Sequence, residues 1–421
     1  MIDINLIRKN PNLVKKNIKK RNYDVDLDKL IKLDNSWRKL KYEEDDIRKQ
    51  RNLISKKVSE LKKVGKNASK EIKKAKEIPL KLEKVLEKRR KFENEIFNSL
   101  STIPNIIQKE VPIGDENKFK ELKKSGVIPK FSFPVKGHDV LLEDLGLLDM
   151  KRAAKISGSG FYIFKGELAL LERALINFML DFHTKEGFIE INAPHIVNEK
   201  TLFGTGNLPK FEDDVYKTRE GMYLIPTSEV SLTNIHSGEV LKDLPKKFVG
   251  FTQCYRTEAG KHGPDTPGIF RLHQFEKVEM VYICKEEDSF KFHEEMVKKS
   301  EKILEMLKIP YRKVILASED TSFASSKTYD LEVWSPALKK YLEVASLSNC
   351  LDFQARRMNT RYQTKEGLKF VHTLNGSGLA TPRLLISLVE NNQQKDGSIK
   401  LPKVLQPYMN NLKKIAKRNK K

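Results

Sequence analysis

Cysteine is scarce in this chain: Cys254, Cys284 and Cys350 are the only three among 421 residues, spaced 30 and 66 positions apart. An odd number with no Cys-x-x-Cys pair supports neither a disulfide framework nor a zinc ribbon. Long apolar runs are absent as well. No stretch approaches the roughly 18 residues needed to span a bilayer. The opening Met1-Ile2-Asp3-Ile4-Asn5 has no apolar signal core, and no Arg-rich, acid-free organelle address is present, which gives a cytoplasmic expectation. Also missing are Gly-x-x-x-x-Gly-Lys and the Rossmann glycine fingerprint, so a bound nucleotide would have to be held in another way.

Acidic residues fall short of basic ones, 57 against 80, a formal net charge of +23. A field of that sign favours a polyanionic partner, most simply nucleic acid or nucleotide. The excess is local: residues 31–100 hold 22 Lys and Arg against 12 Asp and Glu, and residues 411–421 hold six basic residues and no acidic one. A solvated face or a lysine-rich codon bias produces the same counts, so charge alone does not decide the partner. With 33% charged and 39% hydrophobic residues the chain reads as globular, and its length exceeds what one core comfortably supports, which predicts two domains.

The basic N-terminal stretch has a heptad pattern. Leu30, Leu33, Trp37, Leu40, Ile47, Ile54, Val58 and Leu61 follow a 3-4 spacing in which Glu44 and Arg51 are the exceptions, as in a coiled-coil seam. Gly65, Lys66 and Asn67 interrupt it, and Ala75, Ile78, Leu82, Val85, Phe92 and Ile96 set a second register. Two such helices joined by a short turn predict an antiparallel hairpin, an arm of roughly 50 Å at about 1.5 Å per residue. Pro79 predicts a kink or a late start to the second helix.

Beyond Ile103-Pro104-Asn105 the pattern changes to strands mixed with helices. Helices are expected at 167–185, 289–307 and 382–391. Strands are expected through Phe188 to Ala193, closed by Pro194, and at 221–226, 248–256, 268–283, 311–316, 328–334 and 341–346. The fold class expected is α+β, a largely antiparallel sheet with flanking helices plus the N-terminal coiled-coil arm.

Three segments concentrate groups that could carry chemistry. Phe251 to Met280 reads as two strands around a loop, with Arg256 and Glu258 sharing one face by two-residue alternation and Arg271, Phe275 and Glu279 sharing another. Solvent-facing cross-strand ion pairs would look the same. Thr373 to Arg383 is a strand of small residues running into a helix with an arginine in its first turn, which suits a phosphate pressed against backbone or a strand packed under its own helix. In Glu343-Val344-Ala345-Ser346-Leu347-Ser348-Asn349 a carboxylate and a hydroxyl could hold a hard cation. Strict alternation puts Glu343 and Ser346 on opposite faces, so a twist or bulge is required.

Taken together, these segments resemble the signature motifs of class II aminoacyl-tRNA synthetases in their seryl form. Arg256-Thr257-Glu258-Ala259-Gly260 with Arg271-Leu272-His273-Gln274-Phe275-Glu276-Lys277-Val278-Glu279 is similar to the second motif. Asn375-Gly376-Ser377-Gly378-Leu379-Ala380-Thr381-Pro382-Arg383 resembles the third, the helix and strand ending at Pro194 the first, and Pro226-Thr227-Ser228-Glu229 the Thr-x-Glu loop of seryl-tRNA synthetases. The likeness runs from Met1 to about Tyr408. It implies an N-terminal tRNA-binding domain at 1–103, with a coiled-coil arm over about 27–100, and a catalytic domain at 104–421 ending in a basic tail at 411–421.

The resemblance further implies that Arg256 holds the α-phosphate of ATP, Glu258 the adenine amino group, Phe275 the adenine ring, and Arg271 and Arg383 the β- and γ-phosphates. Glu343 and Ser346 would bind Mg²⁺, with the backbone around Val344 lining the nucleotide. Thr227, Glu229, Glu279, Asn375 and Ser377 would surround L-serine. Ala345 and Leu347 depart from the Ser and Cys usual in such relatives, which touches the surroundings of the metal site. The cysteine spacing disfavours the type with a zinc-bound serine site. The activity implied is serine–tRNA ligation: activation of serine with ATP, then transfer to tRNA(Ser), with tRNA(Sec) left open as a second acceptor, by a cytoplasmic homodimer. His262, in the second-motif loop, is read as solvated rather than as an acid or base. The alternatives are a catalytically silent tRNA-binding paralogue or a related amino-acid-activating ligase, and the latter should lack the arm.

Overall fold

The heptads near the N-terminus form two long helices. In the computed structural model, which describes residues 1–258 and 268–417, these helices belong to one compact unit, Ile2–Pro104. The chain from Asn105 onward, with Met1, forms a second. Within the first unit, α1 (Ile4–Lys9) and α2 (Pro11–Lys20) are capped by the side chains of Asp3 and Asn10. Then α3 (Leu27–Lys63) begins at Asp26, whose carboxylate accepts from the Lys29 amide at 2.9 Å. A turn in which Gly65 takes φ +69° leads to α4 (Ser69–Ser101).

The two exceptions to the heptad pattern part ways. Arg51 is exposed, but Glu44 is only 3% exposed. It is held by Arg89 of α4 at 3.0 Å and Arg48 at 2.9 Å, partners that let a carboxylate occupy a seam position. Of the two outcomes expected at Pro79, the late start does not occur. The helix begins at Ser69 and runs through the proline, next to buried Ile78, with one backbone donor missing there.

The second unit is built on an eight-stranded sheet: β1 (Lys120–Ser125), β2 (Ile189–Glu190), β3 (Lys246–Tyr255), β4 (Gln274–Cys284), β5 (Tyr311–Ile315), β6 (Lys327–Ser335), β7 (Lys340–Asn349) and β8 (His372–Ala380). Their spatial order is β1-β5-β6-β7-β8-β4-β3-β2. All neighbours are antiparallel except β2 on β3, so the α+β class expected from the sequence is the one found. Helices α5 (Glu167–Lys185), α6 (Ser228–Asn234), α7 (Ser289–Leu307) and α8 (Thr381–Asn391) flank the sheet. Apolar residues of α5, α7 and α8 join those of β4 to β8 in one core. Among the described residues no helix is long and apolar enough to cross a membrane.

Several expected strands are shorter than their apolar runs. Residues 268–273 are turns and bends, not the start of β4, because Gly268 takes φ +68° and Arg271 turns to pair with Glu258. Of 221–226 only Tyr223–Leu224 is extended, in a two-stranded ribbon with Ile196–Val197. The strand before Pro194 is confined to Ile189–Glu190. In the tail, Lys414–Ile415 pairs with Ile399–Lys400 and Ile415 is 1% exposed, so the described part of 411–421 is anchored by an apolar residue among its lysines.

Candidate active site

The central strands project alternate residues into a cavity of about 260 Å³. On β4 these are Phe275, Lys277 and Glu279, as two-residue alternation requires. Lys277 was missed in the sequence reading, although the rule that paired its neighbours puts it between them. It is 8% exposed, and its ammonium contacts the Glu279 carboxylate. Arg256 and Glu258 also line the cavity, but not as partners on one strand face. β3 ends at Tyr255, and Glu258 adopts φ +47°. Beyond the strand the Arg256 amide still donates to His273 O at 2.9 Å, while its Nε donates to Pro226 O at 3.2 Å. Its guanidinium lies 5.0 Å from the Phe275 ring centroid. Arg271, likewise off the strand, reaches Glu258 at 3.2 Å.

Two bulges complete the site. On β7, Glu343 pairs with Glu332 and Ala345 with Leu331, leaving Val344 as an extra residue. That insertion moves Glu343 and Ser346 onto the same side of the sheet, and both line the cavity with Val344. The bulge that the spacing demanded is therefore present. On β8, Ser377 pairs with Glu279 and Leu379 with Val278, leaving Gly378 as the extra residue, so Asn375, Ser377 and Ala380 share the cavity wall. The glycines of this strand are required by side chains packed against it. A Cβ on Gly378 would lie 2.8 Å from His183 of α5, and one on Gly376 3.0 Å from Leu347. They admit the packing behind the sheet. Ala345 and Leu347 also belong to the core, so those departures alter packing rather than the cavity wall.

Thr227 and Glu229 enter from the start of α6, where the Thr227 hydroxyl caps the helix by accepting from the Glu229 amide. Glu229 Oε1 accepts from Gln354 Nε2 at 2.6 Å and from Asn375 Nδ2 at 2.8 Å. Gln354 is fixed in turn by the Thr373 hydroxyl at 2.7 Å. No motif pointed to Gln354, because its helix, Phe353–Met358, is joined to the site only by the fold. Loss of hydration, reinforced by the Glu279 charge, pushes the Glu229 carboxyl up to about 7. At the other carboxylate group, Arg383 of α8 donates to Glu343 Oε2 at 3.1 Å. Opposite Ser346, burial and the Glu343 charge hold the Asp330 carboxyl well above the usual range, opposed by the Ser346 hydrogen bond.

All thirteen residues expected at the site thus border one cavity: Arg256, Glu258, Arg271, Phe275, Glu343, Val344, Ser346, Arg383, Thr227, Glu229, Glu279, Asn375 and Ser377. Residues 259–267, with His262, lie outside the described residues. No three His, Cys, Asp or Glu side chains form a ready-made metal cage among the described residues.

A family model described as "tRNA synthetase class II core domain (G, H, P, S and T)" matches residues 210–392, and a "Seryl-tRNA synthetase N-terminal domain" model matches residues 1–107. The chain is 43% identical to the serine–tRNA ligase of Methanosarcina barkeri over 418 residues, 99% of each chain. It is 48% identical to that of Thermotoga neapolitana, covering 97% of this chain and 98% of the relative. Among solved structures, seryl-tRNA synthetase from Pyrococcus horikoshii complexed with ATP superposes with a TM-score of 0.94 at 36% identity, covering 100% of both chains. Cytoplasmic serine–tRNA ligase from Naegleria fowleri in complex with AMP gives 0.90 at 30% identity, over 100% of this chain and 99% of that one. Likeness of this extent, across both the helical N-terminal region and the motif-bearing sheet, establishes that the chain belongs to the seryl-tRNA synthetase family.

Proposed function

We propose that the chain activates L-serine with ATP, forming seryl adenylate and pyrophosphate, and then transfers the seryl group to tRNA(Ser). The observation that carries this reading is the cavity itself. It holds three arginines suited to phosphates, Arg256, Arg271 and Arg383, together with carboxylate, amide and hydroxyl groups suited to a small zwitterion bearing a hydroxyl.

In the first step the serine carboxylate attacks the α-phosphorus in line and the bond to pyrophosphate breaks. That carboxylate is already ionised near neutral pH, so no general base is needed. The work left to the protein is positioning and charge stabilisation. Arg256 would hold the α-phosphate, Phe275 would stack on adenine and Glu258 would accept from its amino group. Arg271 and Arg383 would exchange their present carboxylate partners for the β- and γ-phosphates. Thr227, Glu229, Glu279, Asn375 and Ser377 would surround serine. In the second step a terminal ribose hydroxyl of the tRNA attacks the seryl carbonyl and AMP leaves.

Glu343 and Ser346 fit a hard divalent cation: both are oxygen donors, the bulge places them together, and Mg²⁺ typically takes only one or two protein ligands beside phosphate oxygens and water. Bound there, Mg²⁺ would add positive charge beside the phosphates. The helical hairpin is read as the contact for tRNA. A homodimer fits the exposure of Ile189 and Ile196, 57% and 51%, on either side of Pro194, and a monomer in light scattering would remove it. A cytoplasmic setting agrees with three buried cysteines that are all free.

Pyrophosphate exchange measured across the twenty amino acids tests the reading, with serine expected to be the one that supports it. Exchange with another amino acid instead would point to a related ligase. No exchange from folded protein that still binds tRNA would point to a silent paralogue, which the presence of Arg256, Glu279, Glu343 and Arg383 in one cavity disfavours.

A further inference from the structure

One carboxylate beside the site has no evident use in the fold. Asp330 on β6 is only 5% exposed, and its Oδ1 has no hydrogen-bond partner among the described residues. Such a group is costly to bury. The sheet holds it in place: Asp330 stands directly opposite Ser346 of β7, so the two side chains share one face of the sheet. The nearest charges include Glu343, Asp320 and Glu332, so its surroundings are acidic. Glu332 is balanced by Arg312 at 2.5 Å and Glu343 by Arg383 at 3.1 Å, but no ion pair reaches Asp330 among the described residues. A purely structural partner for Ser346 could be an Asn or a Ser, which would accept from its hydroxyl without adding charge beside Glu343. Buried polar groups left unsatisfied next to a site are a recurring mark of function.

We propose that Asp330 is a positioning residue for a hydrated divalent cation accompanying ATP: it orients the Ser346 hydroxyl, and its unpaired Oδ1 is kept as an acceptor for the cation's water shell. This rests on the reading of Glu343 and Ser346 as the cation's protein ligands. Asp330 stands beside Ser346 on the next strand and, in this reading, is not itself a ligand. The acidic surroundings, unfavourable in the free protein, become favourable once a double positive charge sits in front of Glu343. Groups that hold metal ligands in this way typically contribute about 10-fold to 100-fold in metal affinity.

The test uses the full chain, saturating ATP, and Mn²⁺ as the probe, with free Mn²⁺ followed by electron paramagnetic resonance and melting temperature followed without metal. Asp330→Asn and Asp330→Ser are expected to weaken Mn²⁺ binding about 10-fold to 100-fold, to leave metal-free ATP binding within about twofold, and to melt at or above the parent temperature, because a buried carboxyl with an unsatisfied oxygen has been removed. Mn²⁺ affinity unchanged in both variants but lost in Glu343→Gln would overturn the role of Asp330 and leave the cation site standing. Mn²⁺ affinity unchanged in all three would overturn the cation site as well. Melting of both Asp330 variants several degrees below the parent would make the carboxylate a support of the fold and overturn the inference.

Discussion

The Arg383 guanidinium donates to both the backbone carbonyl of Glu343, at 3.0 Å, and its carboxylate, at 3.1 Å. An arginine expected to bind phosphate is thus held by the carboxylate expected to bind the cation. Arg271 and Glu258 repeat the arrangement. Each pair keeps its members oriented, and in the proposed reaction a phosphate would take the place of the carboxylate on each arginine.

Replacing Arg383 with Ala is expected to lower serine-dependent pyrophosphate exchange by about 100-fold or more, the usual cost of removing one group that stabilises developing charge. Stability should change little, because side-chain exposures of 26% and 48% make this a partly solvated pair, worth about 0–1 kcal/mol. Arg256→Ala should behave alike. Exchange within tenfold of the parent, in protein with an unshifted melt, would remove the phosphate role.

Alanine should be rejected more strongly than threonine. Groups placed for the serine hydroxyl, in the wall formed by Thr227, Glu279 and Ser377, are left unpaired by alanine, whereas threonine adds one methyl group to be excluded by size. Exchange rates with the two amino acids, each relative to serine, measure this. Comparable rates for alanine and serine would contradict the serine assignment.

Glu229 provides a pH dependence with a definite sign. Its folded-state carboxyl titrates at about 7 against an ordinary 4.5, so the folded chain retains a proton that the unfolded chain has lost. Its contribution to stability therefore falls as pH rises from about 4.5 to about 7, and Glu229→Gln should not show that loss. Serine binding should run the other way. The KM for serine is expected to decrease as pH is raised through about 7, where the ionised carboxylate can face the ammonium, and to be flat in Glu229→Gln. Superimposable pH profiles of parent and variant would exclude Glu229 from the serine site.

The helical hairpin should matter for one half-reaction only. Substituting residues 31–100 by a glycine–serine turn is expected to leave pyrophosphate exchange nearly intact, because none of the cavity residues lies there. It should abolish most tRNA charging. Charging by the intact chain should also weaken with salt, as contacts to phosphates require. Equal charging by the shortened protein would show that its basic surface is merely solvated.

The hairpin was legible in the sequence because heptad spacing is a property of one helix against its neighbour: Leu30, Leu33, Trp37 and Leu40 pack as their spacing predicts. What spacing did not foretell is that Glu44 would be buried and Arg51 exposed, since that depends on whether the opposite helix supplies an Arg89. Strand ends were read less well than strand centres. The apolar residues Ile269 and Leu272 are buried outside any strand, and burial alone looks like strand in a sequence.

The local order of residues, then, determined which chemistry is present: the arginines, carboxylates and hydroxyls of the motifs, their order along the chain, and the alternation that sends Phe275 and Glu279 to one side. Only the tertiary structure decided how they meet. The extra residues Val344 and Gly378 reset the alternation so that Glu343 joins Ser346 and Ser377 joins Ala380, Gln354 arrives from a helix with no motif, and Asp330 stands opposite Ser346 with its Oδ1 lacking a hydrogen-bond partner among the described residues. Each of these depends on register between strands distant in the chain, a quantity set by packing across the sheet rather than by any segment's own pattern.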